Sequence, residues 1–223
     1  MISLSGAKGP PSPARQVIVS RVVPGDGPTP FRFTLNSTII CGSEPLPLLS
    51  EPESELLLSS AAVVISAYNN APALQLSLLG YLRQDCRDFR LIVADDGSTA
   101  DLTEGIAPIL EELNATGIET DHVWHEDRGF RKNIILNEAV RNCPGSELLI
   151  FTDGDCIPPA SFVRTHLDHH CPRSFHVAGA YRLTETATSS LNADSVRKGD
   201  HESMKEPDQI RDLQRRFRKS KWG

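Results

Sequence analysis

A chain of 223 residues with 39% hydrophobic content holds enough apolar material for one sizeable domain and a flanking segment. Its net charge of −6 argues against a general affinity for nucleic acid, so an anionic ligand must be met by local groups or a metal. Cys41, Cys86, Cys143, Cys156 and Cys171 are odd in number, scattered and in no CxxC pair, which speaks against a zinc cage or disulfide framework and suits a reduced compartment.

Residues 1–55 are rich in Pro, Gly and Ser, as in GAKGPPSPAR and VVPGDGPTP, and read as a poorly packed extension. Two β-like runs, Gln16–Val23 and Phe31–Ile40, interrupt it and are candidates for a hairpin. The longest apolar stretch, Leu56–Ala67, contains serines and is too short to span a bilayer. No charged start followed by an apolar core marks a signal peptide. Asn36-Ser37-Thr38 and Asn114-Ala115-Thr116 fit the glycosylation pattern, which matters only in a secreted protein.

A regular alternation begins at Ala62. AVVISA predicts a strand, and Asn70 caps a helix with Pro72 in its first turn and Leu74, Leu78, Leu79 and Leu82 on its apolar face. RLIVA over Arg90–Ala94 predicts a second strand, ending in Asp95-Asp96-Gly97-Ser98. Ser98 with Asp101 has the form of a capping box for a helix over Ala100–Asn114. A third strand is expected near Glu119–His125 and a helix over Arg131–Arg141, stopped by Cys143-Pro144-Gly145. Leu148, Leu149, Ile150 and Phe151 form a continuous apolar run, as in a strand buried on both faces of a parallel sheet, and lead into Asp153-Gly154-Asp155. Pro158-Pro159 opens a further helix reaching His169, and Phe175–Ala180 closes the pattern as a strand. The fold class is therefore α/β, a mostly parallel sheet with helices on both faces. Right-handed crossovers place the ends of the first, second and fourth strands, with Tyr68, Asp96, Asp153 and Asp155, on one edge.

Two carboxylates at that edge, with a glycine between them, offer hard oxygen ligands to magnesium or manganese. Each motif also has a plainer reading. Asp-Gly is turn chemistry, Asp95–Ser98 suits a turn and helix cap, and Arg128, Arg131 and Lys132 suit a solvated helix face. Tyr68 suits an ordinary strand end. His166, His169 and His170 have helical spacing, but no cysteine or carboxylate set completes a metal site around them.

Taken together, the strand with Tyr68-Asn69, the Asp95–Ser98 turn, EDRGFRKNIILNEAV at Glu126–Val140 and FTDGDCIP at Phe151–Pro158 resemble a family 2 glycosyltransferase. The resemblance runs from Ala61 to about Leu183 and covers the donor-binding half of a GT-A (Rossmann-like) fold. It implies domain limits of 1–55, 56–183 and 184–223. It further implies that Tyr68 lies near a nucleotide base, that Asp96 contacts base or ribose, and that the DxD motif sets Asp153 toward the ribose and Asp155 on the cation. Arg128, Arg131 and Lys132 become candidates for base or phosphates, since guanidinium and ammonium groups match phosphate oxygens. The implied reaction moves a sugar from a nucleoside diphosphate sugar, taken as UDP-linked, to a hydroxyl of a glycan or lipid-linked acceptor, with inversion. Manganese or magnesium is the implied cofactor, and polysaccharide biosynthesis the implied setting. Nucleic acid is not an expected partner.

Family members draw their general base from a later acidic element in the acceptor half. Here the chain reaches Trp222-Gly223 before one appears; Glu185 and Glu202 sit in no matching motif, so no base is named. After Leu183 the sequence reads as a polar linker. Ile210–Trp222 then forms a basic amphipathic segment, read first as a helix seeking a partner region and second as a peripheral contact with the cytoplasmic face of a membrane. A non-catalytic nucleotide-sugar-binding chain is the main alternative. A nucleotidyltransferase ranks below it, because no Gly-rich phosphate loop follows the first strand.

Overall fold

The structure, a computed structural model, describes residues 16–19, 32–34, 61–143, 145–170, 175–176 and 178–204. Its centre is a five-stranded, wholly parallel sheet in the order β1 (Gln16–Val19), β6 (Leu148–Asp153), β3 (Ala61–Ala67), β4 (Phe89–Asp95), β5 (Thr120–Trp124). Its helices are α1 (Ala71–Leu82), α2 (Ala100–Ala115), α3 (Lys132–Arg141) and α4 (Phe162–Asp168).

The central strands β3, β4 and β6 are largely apolar because both faces are covered. Val63, Ile65, Leu91, Val93 and Ile150 pack with Leu74, Leu78, Leu102, Ile106 and Phe162 of α1, α2 and α4. The alternate residues, Ala62, Val64, Ile92, Ala94 and Leu149, pack with Ile135 and Ala139 of α3. Each fully buried leucine or isoleucine here stabilises the fold by roughly 1.5–3 kcal/mol relative to exposure. The apolar run around Leu148–Phe151 thus has the two-sided burial its composition predicts.

Helix α1 carries more apolar residues than one face requires, because it is packed twice. Its Leu79 joins Ile157, Leu183 and Val196 in a third cluster. The Asn70 cap forms as expected, its Oδ1 accepting from Ala73 N at 3.4 Å. The Ser98–Asp101 capping box does not form. Thr99 is the N-cap of α2 without a side-chain bond, while Ser98 N donates to Asp95 Oδ1 and Ser98 Oγ accepts from Asn69 N, each at 2.8 Å. The strand-end carboxylate has captured the turn, and the helix still opens at Ala100 as expected, with Thr99 in the cap position.

Other expectations change with the second, three-stranded sheet, ordered β7 (Cys156–Ile157), β2 (Arg32–Thr34), β8 (Ala180–Arg182). The two N-terminal runs do not form a hairpin with each other: β1 pairs in parallel with β6, and β2 pairs with β7 and β8. The rest of residues 1–55 lies outside the described residues, as does Ile210–Trp222. Pro158-Pro159 lead in from β7 rather than starting a helix, so α4 is shorter than expected. The closing strand falls at Ala180–Arg182 instead of Phe175–Ala180, where its partner β2 is available.

The stretch read as a polar linker carries α5 (Glu185–Ser190) and α6 (Ala193–Lys198), the latter opened by an Asn192/Ser195 capping box. A 3-10 turn, Asp200–Glu202, follows and fastens this segment to α1, because the Glu202 carboxylate binds the Arg83 guanidinium and accepts from Ala160 N at 3.2 Å. Burial pushes the Glu202 carboxyl up, but these bonds outweigh it and hold it below the usual range. Glu202 is therefore a structural anchor, and Glu185 is exposed in the first turn of α5. No helix among the described residues is long and apolar enough to cross a membrane.

His166 of α4 is buried and packs edge-on against Phe162, ring centroids 4.7 Å apart. Burial, then the neighbouring His176 and His169, pushes its imidazole down to about 4. Burial also lowers His176, whose ring nitrogens have no hydrogen-bond partner among the described residues. An unfolded histidine titrates near 6.5, so on acidification the unfolded chain takes up protons first. Stability is fully present above that pH and is lost as pH falls from about 6.5 toward 4. Urea unfolding at pH 7.5, 6 and 5 should show a loss approaching ~1.4 kcal/mol per pH unit from His166, with His176 adding in the same direction. His166→Phe should flatten the slope; an equal slope in that variant would assign the effect elsewhere.

Candidate functional site

Sheet order brings the C-terminal ends of β6, β3 and β4 side by side, with Ser66 opposite Asp153 and Ala67 opposite Asp95. Each strand stops where its apolar run meets a carboxylate or a turn.

The two aspartates at the end of β4 are both committed, each to a histidine in or just after the neighbouring strand β5. Asp95 is fully buried; its Oδ2 lies 3.1 Å from His122 Nε2 and its Oδ1 accepts from Ser98 N. Burial pushes its carboxyl up, but the bonds from His122 and Ser98 prevail and hold it below the ordinary value. Asp96 Oδ1 lies 2.8 Å from His125 Nε2, and its Oδ2 accepts from Arg131 N at 3.0 Å. Asp96 thereby pins the Glu126–Arg131 loop over the strand ends.

A second tether joins that loop to β3. The Tyr68 hydroxyl donates to Asp127 Oδ2 at 3.0 Å, and Asp127 Oδ1 accepts from Gly129 N at 2.9 Å. The bond to Asp127 and its charge raise the Tyr68 hydroxyl; the Gly129 amide, then Tyr68, lower the Asp127 carboxyl. Gly97, at φ +94°, makes room for this arrangement, since a Cβ there would lie 2.6 Å from the Asp127 backbone.

After β6, Asp153 Oδ1 accepts from Lys132 Nζ at 2.5 Å and from Ser66 Oγ at 3.0 Å. Gly154 N donates to Ser66 O at 2.8 Å, an approach that a side chain would crowd, because a Cβ would sit 3.0 Å from that oxygen. Asp155 follows, half-buried, with Cys156 Sγ 3.7 Å from its Oδ1. Burial, then the charges of Asp155 and Asp153, pushes the Cys156 thiol up to about 12, so it is inert as a nucleophile.

Between these groups lies a cavity of about 390 Å³. Tyr68, Asp96, Lys132, Asp153 and Asp155 all line it, together with Ser66, Asn70, Leu74, Gly129 and the 88% exposed Phe130. Arg128 and Arg131 are not in its lining. The Arg128 guanidinium is held by Glu126 at 2.7 Å on the exposed loop, and Arg131 serves the site through its backbone N–H. Sequence reasoning passed over Ser66, Phe130, His122 and His125. Ser66 had a signal, a hydroxyl near the end of an otherwise apolar strand; the two histidines had none before the strand order was known.

The lining sets three carboxylates against one ammonium. A diphosphate entering there meets net negative charge, so a divalent cation fits the chemistry. The donor set suits one held jointly: two aspartates supply hard oxygens, and the remaining ligands would come from phosphate and water, as magnesium and manganese favour. No group of three or more His, Cys, Asp or Glu side chains able to hold a metal alone occurs among the described residues.

A parallel α/β sheet with helices on both faces and an acidic, ligand-sized pocket at its strand ends has the layout expected of a GT-A fold. The chain belongs to glycosyl transferase family 2, whose profile matches residues 62–215. Over 111 residues it is 35% identical to the uncharacterized glycosyltransferase YfnE of Bacillus subtilis (strain 168), a match covering 49% of this chain and 26% of that one. The chain thus spans about a quarter of the length of this curated relative. Among solved structures it matches a mannosyltransferase, PcManGT from Pyrobaculum calidifontis in complex with GDP-Man and Mn2+, at 28% identity and a TM-score of 0.38. That match covers 44% of this chain and 28% of the other. A match to S. aureus TarS has 20% identity, covers 50% of this chain and 20% of that one, and has a TM-score of 0.39.

Proposed function

We propose that the chain binds a nucleoside diphosphate sugar together with manganese or magnesium and transfers the sugar, with inversion, to an acceptor hydroxyl. One observation carries the reading: in a member of this family, a single pocket at the parallel strand ends gathers Tyr68, Asp96, Lys132, Asp153 and Asp155. Asp155 would hold the cation, with Asp153 beside it, and the cation would supply charge stabilisation for the departing diphosphate. Lys132 would reach the phosphates, and the aromatic faces of Tyr68 and Phe130 would border the nucleoside. Gly154 and the Ser66 carbonyl hold the acidic turn rigid, which preorganises the charge.

No base for the acceptor proton is assigned among the described residues. Among the described residues the carboxylates lining the pocket are Asp96, Asp153 and Asp155, and the first two already hold His125, Arg131 N, Lys132 and Ser66. That observation favours, as the second reading, a chain that binds donor without turning it over. Family membership sets the nucleotidyltransferase alternative aside. A UDP-linked donor, a glycan or lipid-linked acceptor in polysaccharide biosynthesis, and a cytoplasmic setting with membrane contact through Ile210–Trp222 extend the proposal. Their support is the sequence motifs and the basic amphipathic spacing.

The test is thermal unfolding of the chain with a panel of UDP- and GDP-sugars, with and without Mn2+. A donor at 100 times its Kd should add about 2.7 kcal/mol and raise Tm by roughly 5–10 °C, only with metal present. No shift with any sugar nucleotide sinks the proposal. A shift without donor hydrolysis or transfer selects the second reading.

A further inference from the structure

Resting on that reading, we propose that Lys132 is a resident cation of the site: it neutralises Asp153 in the ligand-free protein, holds back metal that arrives alone, and yields only to metal arriving with a diphosphate. Lys132 opens α3 and Asp153 closes β6, so their meeting is made by the fold rather than by chain proximity. The contact is short, 2.5 Å, and half-sheltered, with Lys132 34% and Asp153 19% exposed, so solvent screens it only in part. The same Asp153 oxygen also accepts from Ser66 Oγ, which fixes where the ammonium must sit.

A divalent cation bound between Asp153 and Asp155 would stand within a few ångströms of that ammonium. Like charges at such a separation repel, and the double charge of the metal doubles the repulsion over that of a single charge. With Lys132 in place, the pocket presents less negative charge to a bare metal than its three carboxylates suggest. A diphosphate reverses this, because its negative oxygens can take the ammonium and the metal together. Metal and nucleotide binding are then coupled through one side chain, and by linkage each strengthens the other by the same factor.

The experiment measures Mn2+ affinity of the full chain by electron paramagnetic resonance of the free ion, alone and with saturating UDP or GDP, in wild type, Lys132→Met and Lys132→Arg. Lys132→Met should bind Mn2+ alone about 5–10-fold more tightly than wild type and lose most of the tightening that nucleotide confers. Lys132→Arg, which keeps the charge, should retain the wild-type coupling, and a thermal melt of each variant confirms the fold. If Lys132→Met binds Mn2+ alone no better than wild type while nucleotide still tightens wild-type binding, the resident-cation role is overturned and the donor site stands. If wild type binds Mn2+ in neither condition, both fall.

Discussion

Gly97→Ala is expected to unseat the Glu126–Arg131 loop and with it the Tyr68 and Phe130 end of the pocket. Two effects act at the same Cβ. The backbone at Gly97 has φ +94°, a region that costs an L-residue about 1–2 kcal/mol. The added methyl would also lie 2.6 Å from both Asp127 N and Asp127 Cα, and backbone atoms cannot swing aside as a side-chain tip can. Asp127 must then move, breaking its bond from Tyr68, and the strain reaches Arg131 N, whose acceptor is Asp96. Together these predict a loss of roughly 3–4 kcal/mol in urea unfolding. Donor binding should weaken further, beyond what reduced stability explains. A variant within 1 kcal/mol of wild type with normal donor affinity would show that the loop does not rest on this turn.

The parallel sheet was legible because its signals are local. Two-sided burial writes continuous apolar runs at Ala62–Ala67 and Leu148–Phe151, and Asn70 with Pro72 marks a helix start. The acidic turns were legible for the same reason, since Asp95-Asp96-Gly97 ends the apolar run Leu91–Ala94 and Asp153-Gly154-Asp155 follows Leu148–Phe151. What stayed hidden depends on pairing across the fold. Nothing near His122 or His125 announces that β5 lies against β4, which is what sets them on Asp95 and Asp96. Arg128 and Arg131 carry the same charge as Lys132, yet only Lys132 lies where the first turn of α3 aims it at Asp153. Ser98 failed as a cap because its Oγ accepts from Asn69 N, 29 residues away, while its own N–H goes to the nearby Asp95 carboxylate.

Asp155→Ala is expected to remove metal-dependent nucleotide binding while leaving the fold in place. The turn that carries Asp155 is held from both sides by backbone: Gly154 N donates to Ser66 O at 2.8 Å, and Cys156 O accepts from Ser77 Oγ at 2.6 Å. The position of residue 155 is thus set by neighbours that the substitution keeps. Loss of one of only two carboxylates flanking the proposed cation should lower nucleotide affinity in Mn2+ by roughly 100-fold or more, and leave the affinity in chelator unchanged. Asp153→Ala should behave differently. It strips Lys132 and Ser66 of their shared acceptor, so it should lower Tm without any ligand and also disturb metal-free nucleotide binding. Calorimetric titration of UDP and GDP into both variants, in Mn2+ and in chelator, separates loss of a metal ligand alone from loss of a carboxylate that also positions Lys132 and Ser66. Retained metal-dependent affinity in Asp155→Ala would place the cation on other oxygens and leave the Asp153–Asp155 turn as architecture alone.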